Sequence, residues 1–253
     1  MLSFQELPAG KNIYFISDFH LGVPSHQESI QREKKIVRWL DEVKKDAFAI
    51  FILGDIFDFW FEYNYTIPKG YIRIQGKLAE LSDAGLPIYL FTGNHDMWMF
   101  DYFTKELNIP VFREPLELQV GKIKMLIGHG DGLGPGDYGY KFLKKVFANK
   151  LCQWAFKMLP PAIGLGIANQ WSKHSRISNN SDNVNLGDKE FLLIYCKEIQ
   201  QKSPHHYYIF GHRHLPLELE VANDSKYINL GEWVNHFTYA RFDGSKVVLK
   251  KFE

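Results

Sequence analysis

The chain has 253 residues, 45% of them hydrophobic, which suffices for one large domain with a buried core or for a core with an insertion. A formal net charge of +1 gives no global reason to expect nucleic acid or a strongly acidic partner. The first residues lack the basic and apolar regions of a signal peptide, and the longest uncharged stretch, 158–172, is too short and too rich in proline and glycine to span a bilayer.

Four short apolar runs in the first half of the chain predict strands. They span residues 12–17, 47–53, 87–92 and 122–127. The first three runs are almost continuously apolar, which is typical of strands buried on both faces of a sheet. Helical periodicity over residues 27–45 and 71–84 fills the intervals between these three runs. Because strands and helices alternate, we expect a largely parallel sheet in this half.

Residues 134–189 interrupt this alternation and show helical periodicity. Between Tyr138 and Arg176 the segment contains six lysines, one arginine, many apolar and aromatic residues, and no Asp or Glu. We therefore expect a basic helical insertion, or lid, in a core made of residues 1–133 and 190–253. Its basic and apolar side chains suit either an anionic, amphipathic partner or the solvated face of an ordinary helical hairpin.

The last part of the chain contains four further strand patterns, at residues 217–221, 226–230, 237–242 and 246–252. Turn signals at Asn223-Asp224 and Asp243-Gly244 join the first two patterns and the last two. We expect these strands to form an antiparallel second layer.

Five loops that follow predicted strands contain residue types that bind metal ions. They read DFH at 18–20, GDIFD at 54–58, GNHD at 93–96, GHGD at 128–131 and GHRH at 211–214. A single loop of this kind is more often a turn or a surface pair. Five of them behind buried strands predict one shared site, because such loops converge at the carboxyl ends of the strands. Carboxylate, imidazole and amide donors without thiolate suit Mn²⁺, Fe²⁺ or Zn²⁺.

We expect this site to hold two divalent ions. A carboxylate has to lie between the ions to keep them about 3.5–4 Å apart, and Asp55 is the natural bridge. The ligands assigned to the two ions are Asp18, His20, Asp55 and His214 for one, and Asp55, Asn94, His129 and His212 for the other. Because His212 and His214 are two residues apart, one short segment offers an imidazole to each ion.

These motifs together resemble the calcineurin-like metallophosphoesterase superfamily. Its pattern of D-x-H, G-D-x-x-D, G-N-H-[DE], a later histidine and G-H-x-H is matched here in full. The resemblance implies an α/β fold, a four-layer αββα sandwich with the dinuclear centre at one edge, to which the helical lid is added. It implies hydrolysis at phosphorus with two divalent ions, Mn²⁺ first and Fe²⁺ or Zn²⁺ as alternatives, which activate water and neutralise the phosphoryl oxygens.

A narrower resemblance extends over most of the chain. The segments SDFHLG, GDIFDFWFEY, HGDGLGPGDYGYK, GHRHLP and NLGEW are similar to the UDP-2,3-diacylglucosamine hydrolases of lipid A biosynthesis, which also carry a helical lid after the HGD loop. Some members of that family have arginine in place of His95. The resemblance implies cleavage of the diphosphate to UMP and 2,3-diacylglucosamine 1-phosphate. It also implies substrate contacts at Asp137, Tyr140, Lys141, Arg176 and Lys189.

His95 and Asp55 are the expected catalytic residues. Since Asn94 already fills the ligand position in its loop, His95 is free to stabilise the transition state or to protonate the leaving oxygen. The alternative is that its imidazole only orients a neighbouring side chain. Two further carboxylates, Asp58 and Asp96, are expected beside the ligands as acceptors for imidazole N–H groups. A third, Asp131, either orients His129 or contacts the substrate.

Three functions fit these motifs. The first is hydrolysis of the nucleotide lipid, the second is a soluble phosphodiesterase or nucleotidase of the same superfamily that acts on another small phosphoester, and the third is a metal-binding scaffold without catalysis. The complete ligand set disfavours the third function. Cations that cluster in one apolar segment disfavour a nucleic acid partner. Two cysteines without a disulfide or zinc spacing predict a cytoplasmic protein, either free or in peripheral contact with the anionic inner face of a membrane. The oligomeric state stays open.

Overall fold

The computed structural model of the chain describes residues 1–164, 166 and 184–253. Within these ranges the strands form two six-stranded mixed sheets. In order across the first sheet, the strands are β12 (Val247–Lys251), β11 (Thr238–Phe242), β2 (Asn12–Ile16), β3 (Ala47–Leu53), β4 (Ile88–Phe91) and β5 (Val111–Phe112). In order across the second sheet, they are β1 (Leu2–Phe4), β6 (Leu116–Val120), β7 (Ile123–Gly128), β8 (Tyr207–Phe210), β10 (Ser225–Leu230) and β9 (Pro216–Ala222).

The α-helices whose two ends both lie in the described part of the chain flank these sheets. In chain order they are α1 (His26–Val43), α2 (Ile72–Asp83), α3 (Tyr102–Leu107), α4 (Tyr138–Ala148), α5 (Lys150–Lys157) and α6 (Phe191–Lys202). Helix α1 begins after Ser25, whose hydroxyl accepts the backbone N–H of Glu28 at 3.2 Å. This side chain supplies an acceptor for one of the N–H groups that the first turn leaves unpaired. A 3₁₀ turn at Gly187–Lys189 precedes α6.

The alternation of side chains along the strands produces four layers. On β3, Ile50 and Ile52 point toward a core shared with α1, α2 and α3, whereas Phe51 and Leu53 point toward the second sheet. On β8, Ile209 lies between the sheets, and its neighbours on the strand pack against α6 on the outer face of the second sheet. Because successive residues of a strand face opposite sides, both sheets are buried on two faces. The expected αββα sandwich is confirmed.

The structure confirms the predicted strands and helices of the first half and revises their distribution between the sheets. The run at 122–127 becomes β7 of the second sheet, antiparallel to β6. The hairpin β11–β12 joins the first sheet through antiparallel pairing with β2, whereas β9 and β10 belong to the second sheet. The tail therefore does not form one antiparallel layer. Turn signals specify which strands form a hairpin, but long-range pairing decides which sheet the hairpin joins.

The first two helices of the predicted insertion lie largely in solvent. Neither α4 nor α5 contains a fully buried residue. Their contacts with the core include Phe147 and Phe156, whose rings lie 5.2 Å and 4.7 Å from that of Trp98. Phe142 of α4 and Trp154 of α5 remain 70% and 59% exposed. Among the residues that the structure describes, no helix combines the length and the apolar character needed to cross a membrane.

Candidate metal centre

Parallel pairing brings the five ligand loops to one end of the sandwich. Strands β2, β3 and β4 run parallel in the first sheet, and β7 and β8 run parallel in the second. The loops that follow these strands therefore leave from the same edge of each sheet. Backbone hydrogen bonds join the loops, among them those from His20 N–H to the carbonyl of Asp55 and from Gly211 N–H to that of His129.

Three of the predicted ligands, here called the first ligand group, are Asp18, His20 and His214, which lie around one oxygen of Asp55. The Nε2 atoms of His20 and His214 are 3.0 Å apart. His214 Nε2 lies 3.3 Å from Asp18 Oδ1, and His20 Nε2 lies 3.8 Å from Asp55 Oδ2. These donor atoms come from three different strand ends, so the sandwich as a whole brings them together.

The other predicted ligands, here called the second ligand group, are Asn94, His129 and His212. Asn94 Oδ1 lies 3.1 Å from His129 Nε2 and 3.0 Å from His212 Nδ1. His129 Nε2 lies 3.3 Å from Asp55 Oδ2, the same oxygen that faces the first ligand group. Asp55 is therefore the residue shared by the two groups, which is the place that a bridging carboxylate occupies.

The hydrogen bonds of the two central carboxylates fit a site for divalent ions. Asp18 Oδ1 and Asp55 Oδ2 are buried and have no hydrogen-bond partner among the described residues. The other oxygen of Asp18 accepts bonds from the Ser17 hydroxyl and the backbone N–H of His212, and the other oxygen of Asp55 accepts the backbone N–H of His95. A buried carboxylate oxygen without a partner is costly. A cation at the centre would satisfy both oxygens.

Burial and charge shift the pKa values of the central residues. Burial opposes ionisation of Asp55, but the positive charge of His129 outweighs it and holds the pKa of Asp55 below its ordinary value. Burial likewise opposes the charge on His129, yet the Asp55 carboxylate raises the pKa of His129 to about 10. Burial and the charge of His129 lower the pKa of His212 to about 4. The carboxylates thus favour positive charge at the centre, and an ion that uses His129 as a ligand has to displace its proton.

The backbone at the centre adopts conformations that most residues avoid. Five ligand residues have φ between 45° and 68°, in the left-handed region: Asp18, His20, Asp55, His212 and His214. Two glycines make room for the ligands. A Cβ on Gly54 would lie 2.7 Å from His129 Nδ1, and a Cβ on Gly93 would collide with the Asp55 carboxylate. Glycine is required at these two positions because only it leaves the ligands their space.

Hydrogen bonds from neighbouring groups orient the ligands. His129 Nδ1 donates to the carbonyl of Leu53 at 2.8 Å, which leaves Nε2 to face the centre. The carboxylate of Asp96 accepts the backbone N–H groups of Ile56 and Gly93, each at 2.7 Å, rather than an imidazole. Burial and the charge of Asp55 raise the pKa of Asp96 to about 7. Asp96 therefore joins the loop that carries Asp55 to the loop that carries Asn94.

His95 lies beside His20 of the first ligand group. Its ring centre is 5.0 Å from that of His20, and its side chain is 12% exposed. Nδ1 lies 2.9 Å from the backbone carbonyl of Asp58, and the Asp58 carboxylate is within 3.9 Å of both His95 and His20. The ring is thus held through Nδ1.

The expected substrate contacts lie at different places. Asp137 caps α4 through the backbone N–H of Tyr140 at 3.3 Å, and Lys141 donates to the carbonyl of Gly134. Lys189 is exposed on the 3₁₀ turn, and Arg176 lies outside the described residues. The Tyr140 hydroxyl donates to the carboxylate of Asp131 at 2.6 Å, in the loop that carries His129. Tyr140 is thereby joined to a ligand loop.

Sequence reasoning missed Lys144 on the same face of α4. Its Nζ lies 2.7 Å from Asp131 Oδ2 and donates to the Asp131 carbonyl at 3.0 Å. The positive charges of His129 and Lys144 hold the pKa of Asp131 below its ordinary value, although burial of the carboxyl group opposes this shift. Lys144 follows Tyr140 by four residues, the spacing at which two side chains share a helix face. That spacing was the available signal.

Comparisons with known proteins agree with this geometry. Residues 11–216 match the model of the family described as calcineurin-like phosphoesterase. The UDP-2,3-diacylglucosamine hydrolase of Porphyromonas gingivalis is 34% identical over 260 residues, which cover 95% of this chain and 97% of that protein. The protein of the same name from Proteus mirabilis is 31% identical, with 94% of this chain and 98% of the relative covered.

The solved structure of Yfce, a phosphoesterase from E. coli, is similar with a TM-score of 0.46 at 15% identity, over 95% of this chain and 92% of that one. The range that matches the family model contains every residue of both ligand groups. The chain belongs to the calcineurin-like phosphoesterase family and is a metal-dependent phosphoester hydrolase.

Proposed function

We propose that the chain hydrolyses the diphosphate of UDP-2,3-diacylglucosamine and releases UMP and 2,3-diacylglucosamine 1-phosphate. The observation that carries this proposal is the extent of the similarity to hydrolases of that name. The alignment with the P. gingivalis protein leaves out 5% of this chain, whereas residues 134–189 make up 56 of the 253 residues. The alignment, at 34% identity over its whole length, therefore includes most of the insertion.

The proposed cofactors are two divalent ions, with Mn²⁺ as the first candidate. The first ligand group and Asp55 would hold one ion, and the second ligand group and Asp55 the other. Oxygen and imidazole donors without thiolate support a metal of this class. When bound, the ions supply Lewis acidity that activates water and neutralises charge on the phosphoryl oxygens.

His95 is the proposed residue that acts on the reacting phosphoryl group. The Asp55 carboxylate accepts the His95 backbone N–H at 2.9 Å, and the Asp58 carbonyl holds Nδ1 at the same distance. The imidazole is thereby fixed at its backbone and at one ring nitrogen. Nε2 is left to donate a hydrogen bond to a phosphoryl oxygen, or a proton to the leaving oxygen, in the transition state.

Residues 134–189 form the proposed lid over the core of residues 1–133 and 190–253. Its exposed cations, such as Lys145 and Lys150, are suited to a diphosphate or to anionic lipid, and its exposed Phe142 and Trp154 are suited to acyl chains. We propose peripheral contact with the cytoplasmic face of a membrane through this surface. Substrate contacts are proposed at Asp137, Tyr140, Lys141, Arg176 and Lys189.

Turnover by the purified, Mn²⁺-loaded protein tests the proposal. UMP release from UDP-2,3-diacylglucosamine is measured by chromatography beside the hydrolysis of a small chromogenic diester and of the deacylated nucleotide sugar. We expect rapid release of UMP from the lipid alone, loss of activity after chelation, and recovery when Mn²⁺ is added back. Turnover of the small diester as fast as the lipid would replace the proposal with a soluble phosphodiesterase or nucleotidase.

A further inference from the structure

The two ends of the insertion meet behind the second ligand group. A Cβ on Gly134 would lie 3.0 Å from the carbonyl carbon of Phe191, and one on Gly130 would lie 3.0 Å from the Leu192 side chain. The chain therefore leaves the core just after His129 and returns to it at the start of α6, against the same loop. The base of the insertion therefore packs against this loop.

A charge pair fastens the first end of the insertion to the His129 loop. Asp131 is 5% exposed and lies two residues after His129. Lys144 of α4 contacts both the carboxylate and the backbone carbonyl of Asp131. The Tyr140 hydroxyl donates to the same carboxylate oxygen that Lys144 contacts. Helix α4 is thus bound to the loop by three polar contacts on a single residue.

A buried, two-pronged ion pair fastens the second end to the GHRH loop. The Nε of Arg213 donates to Glu190 Oε2 at 2.8 Å, and its Nη2 donates to Glu190 Oε1 at 3.0 Å. Glu190 is 0% exposed and Arg213 4%. Arg213 also donates to the carbonyl of Val184 at 2.9 Å, inside the insertion. A bidentate guanidinium–carboxylate pair fixes orientation as well as distance.

Arg213 is the residue between two ligands whose backbone is strained. His212 and His214 have φ of 68° and 54°, so the conformation of this turn persists only when its surroundings hold it. The residue after Glu190 adds packing, because the Phe191 ring lies 6.1 Å from that of His212. His214, by contrast, is in direct contact with Asp18 and His20 of the first ligand group.

We infer that Glu190 is a positioning residue for the second ligand group, which it holds through Arg213, and that Lys144 has the corresponding role for His129 through Asp131. The affinity of the second ligand group for its ion then depends on the position of the base of the insertion. Because linkage is reciprocal, binding of that ion also stabilises the base of the insertion in this position. The inference rests on the proposed division of the ligands between two ions and is independent of which phosphoester is hydrolysed.

Binding of Mn²⁺ to the metal-free full-length protein, followed by titration calorimetry, tests this inference. We expect Glu190→Gln to weaken one of two Mn²⁺ binding events by about 10–100-fold, the range for groups that orient metal ligands. The other event should keep its affinity. Lys144→Met should weaken the same event less, because the lysine side chain is 30% exposed.

Two further variants of the chain identify which of the two metal sites is affected. In Asn94→Ala, which lacks a ligand of the second group, Glu190→Gln should cause no additional loss of affinity for the remaining ion, because the two changes act on one site. Glu33→Gln is the matched control. Glu33 is a buried carboxylate that contacts Arg73 and the backbone at the start of α2, on helices without ligands. Both binding events should be unchanged in this variant.

A double variant separates positioning from folding. Glu190→Met/Arg213→Met leaves no unpaired buried charge, so we expect the unfolding midpoint to return toward that of the wild type. The weakened Mn²⁺ event should stay weak, because two flexible thioethers do not fix the turn. Recovery of affinity together with stability, or unchanged affinity in Glu190→Gln, would overturn the inference alone. A wild-type protein that binds a single Mn²⁺ would overturn both the inference and the proposed ligand division.

Discussion

The strand-end loops and the helical insertion differ in what surrounds their side chains. Asp18 and Asp55 are 0% exposed, whereas Phe142 and Trp154 of the insertion are mostly in solvent. The loops are held by parallel pairing between distant segments, and the insertion contacts the core through a few aromatic rings and its base. Under the proposed function, the loops serve the reaction and the insertion serves recognition of the substrate. We expect changes in the loops to affect every substrate, and changes on the exposed helices to discriminate between substrates.

The largest effect is expected from Asp55→Ala. Its carboxylate is shared by the two ligand groups, so the variant should lose both bound ions and all detectable turnover of lipid and small diester alike. Elemental analysis and turnover measure the two losses together. Asp83→Ala, at an exposed aspartate that ends α2, is the control. Metal content and turnover that fall independently would show that Asp55 does not connect the two groups.

The next effect is expected from His95→Ala. The variant should keep both ions, since its imidazole belongs to neither ligand group, and should lose turnover by about 10²–10⁴-fold on either substrate. Metal content and kcat are the measurements, with the exposed His26→Ala as control. A rate near that of the wild type would leave His95 as a residue that only orients its neighbours.

A smaller effect, on folding, compares the two regions directly. Trp39 of α1 is fully buried and contacts the rings of Tyr14, Trp233 and Tyr239. We expect Trp39→Ala to lower the free energy of unfolding by about 3–5 kcal/mol, and Phe142→Ala to change it by less than about 0.5 kcal/mol. Urea unfolding measures both. Equal losses would mean that α4 is covered in solution by another surface.

The smallest effect is expected from the lysines of the insertion. Lys145→Gln/Lys150→Gln removes two exposed cations, each worth about 1 kcal/mol beside an anionic lipid surface, so KM for the lipid should rise roughly 10–30-fold. KM for the small diester should stay unchanged. The control is Lys34→Gln/Lys45→Gln, which removes the same charge from an exposed lysine in α1 and another just after it. Equal changes in KM for both substrates would argue against a lid role in recognition.

The sequence predicted the fold and the ligand loops where the signal is local. Apolar runs predicted β2, β3 and β4, and each ligand loop follows its strand directly in the chain. Asp96 was expected to bind an imidazole, but it accepts backbone N–H groups of two loops. Glu190 was not singled out. Its partner, Arg213, lies 23 residues further along the chain, and no periodicity relates the two. Contacts that depend on tertiary assembly leave no local pattern to detect.

The left-handed ligand residues have a consequence for the history of such proteins. Each of these aspartates and histidines holds a conformation that costs an L-residue other than glycine roughly 1–2 kcal/mol. Selection for hydrolysis thus maintains side chains that the folded backbone disfavours. Glycine at His20 would remove this backbone cost, but it would also leave a cavity where a buried imidazole packs. The folded scaffold therefore carries a local cost at the site that only the bound ions and the reaction make useful.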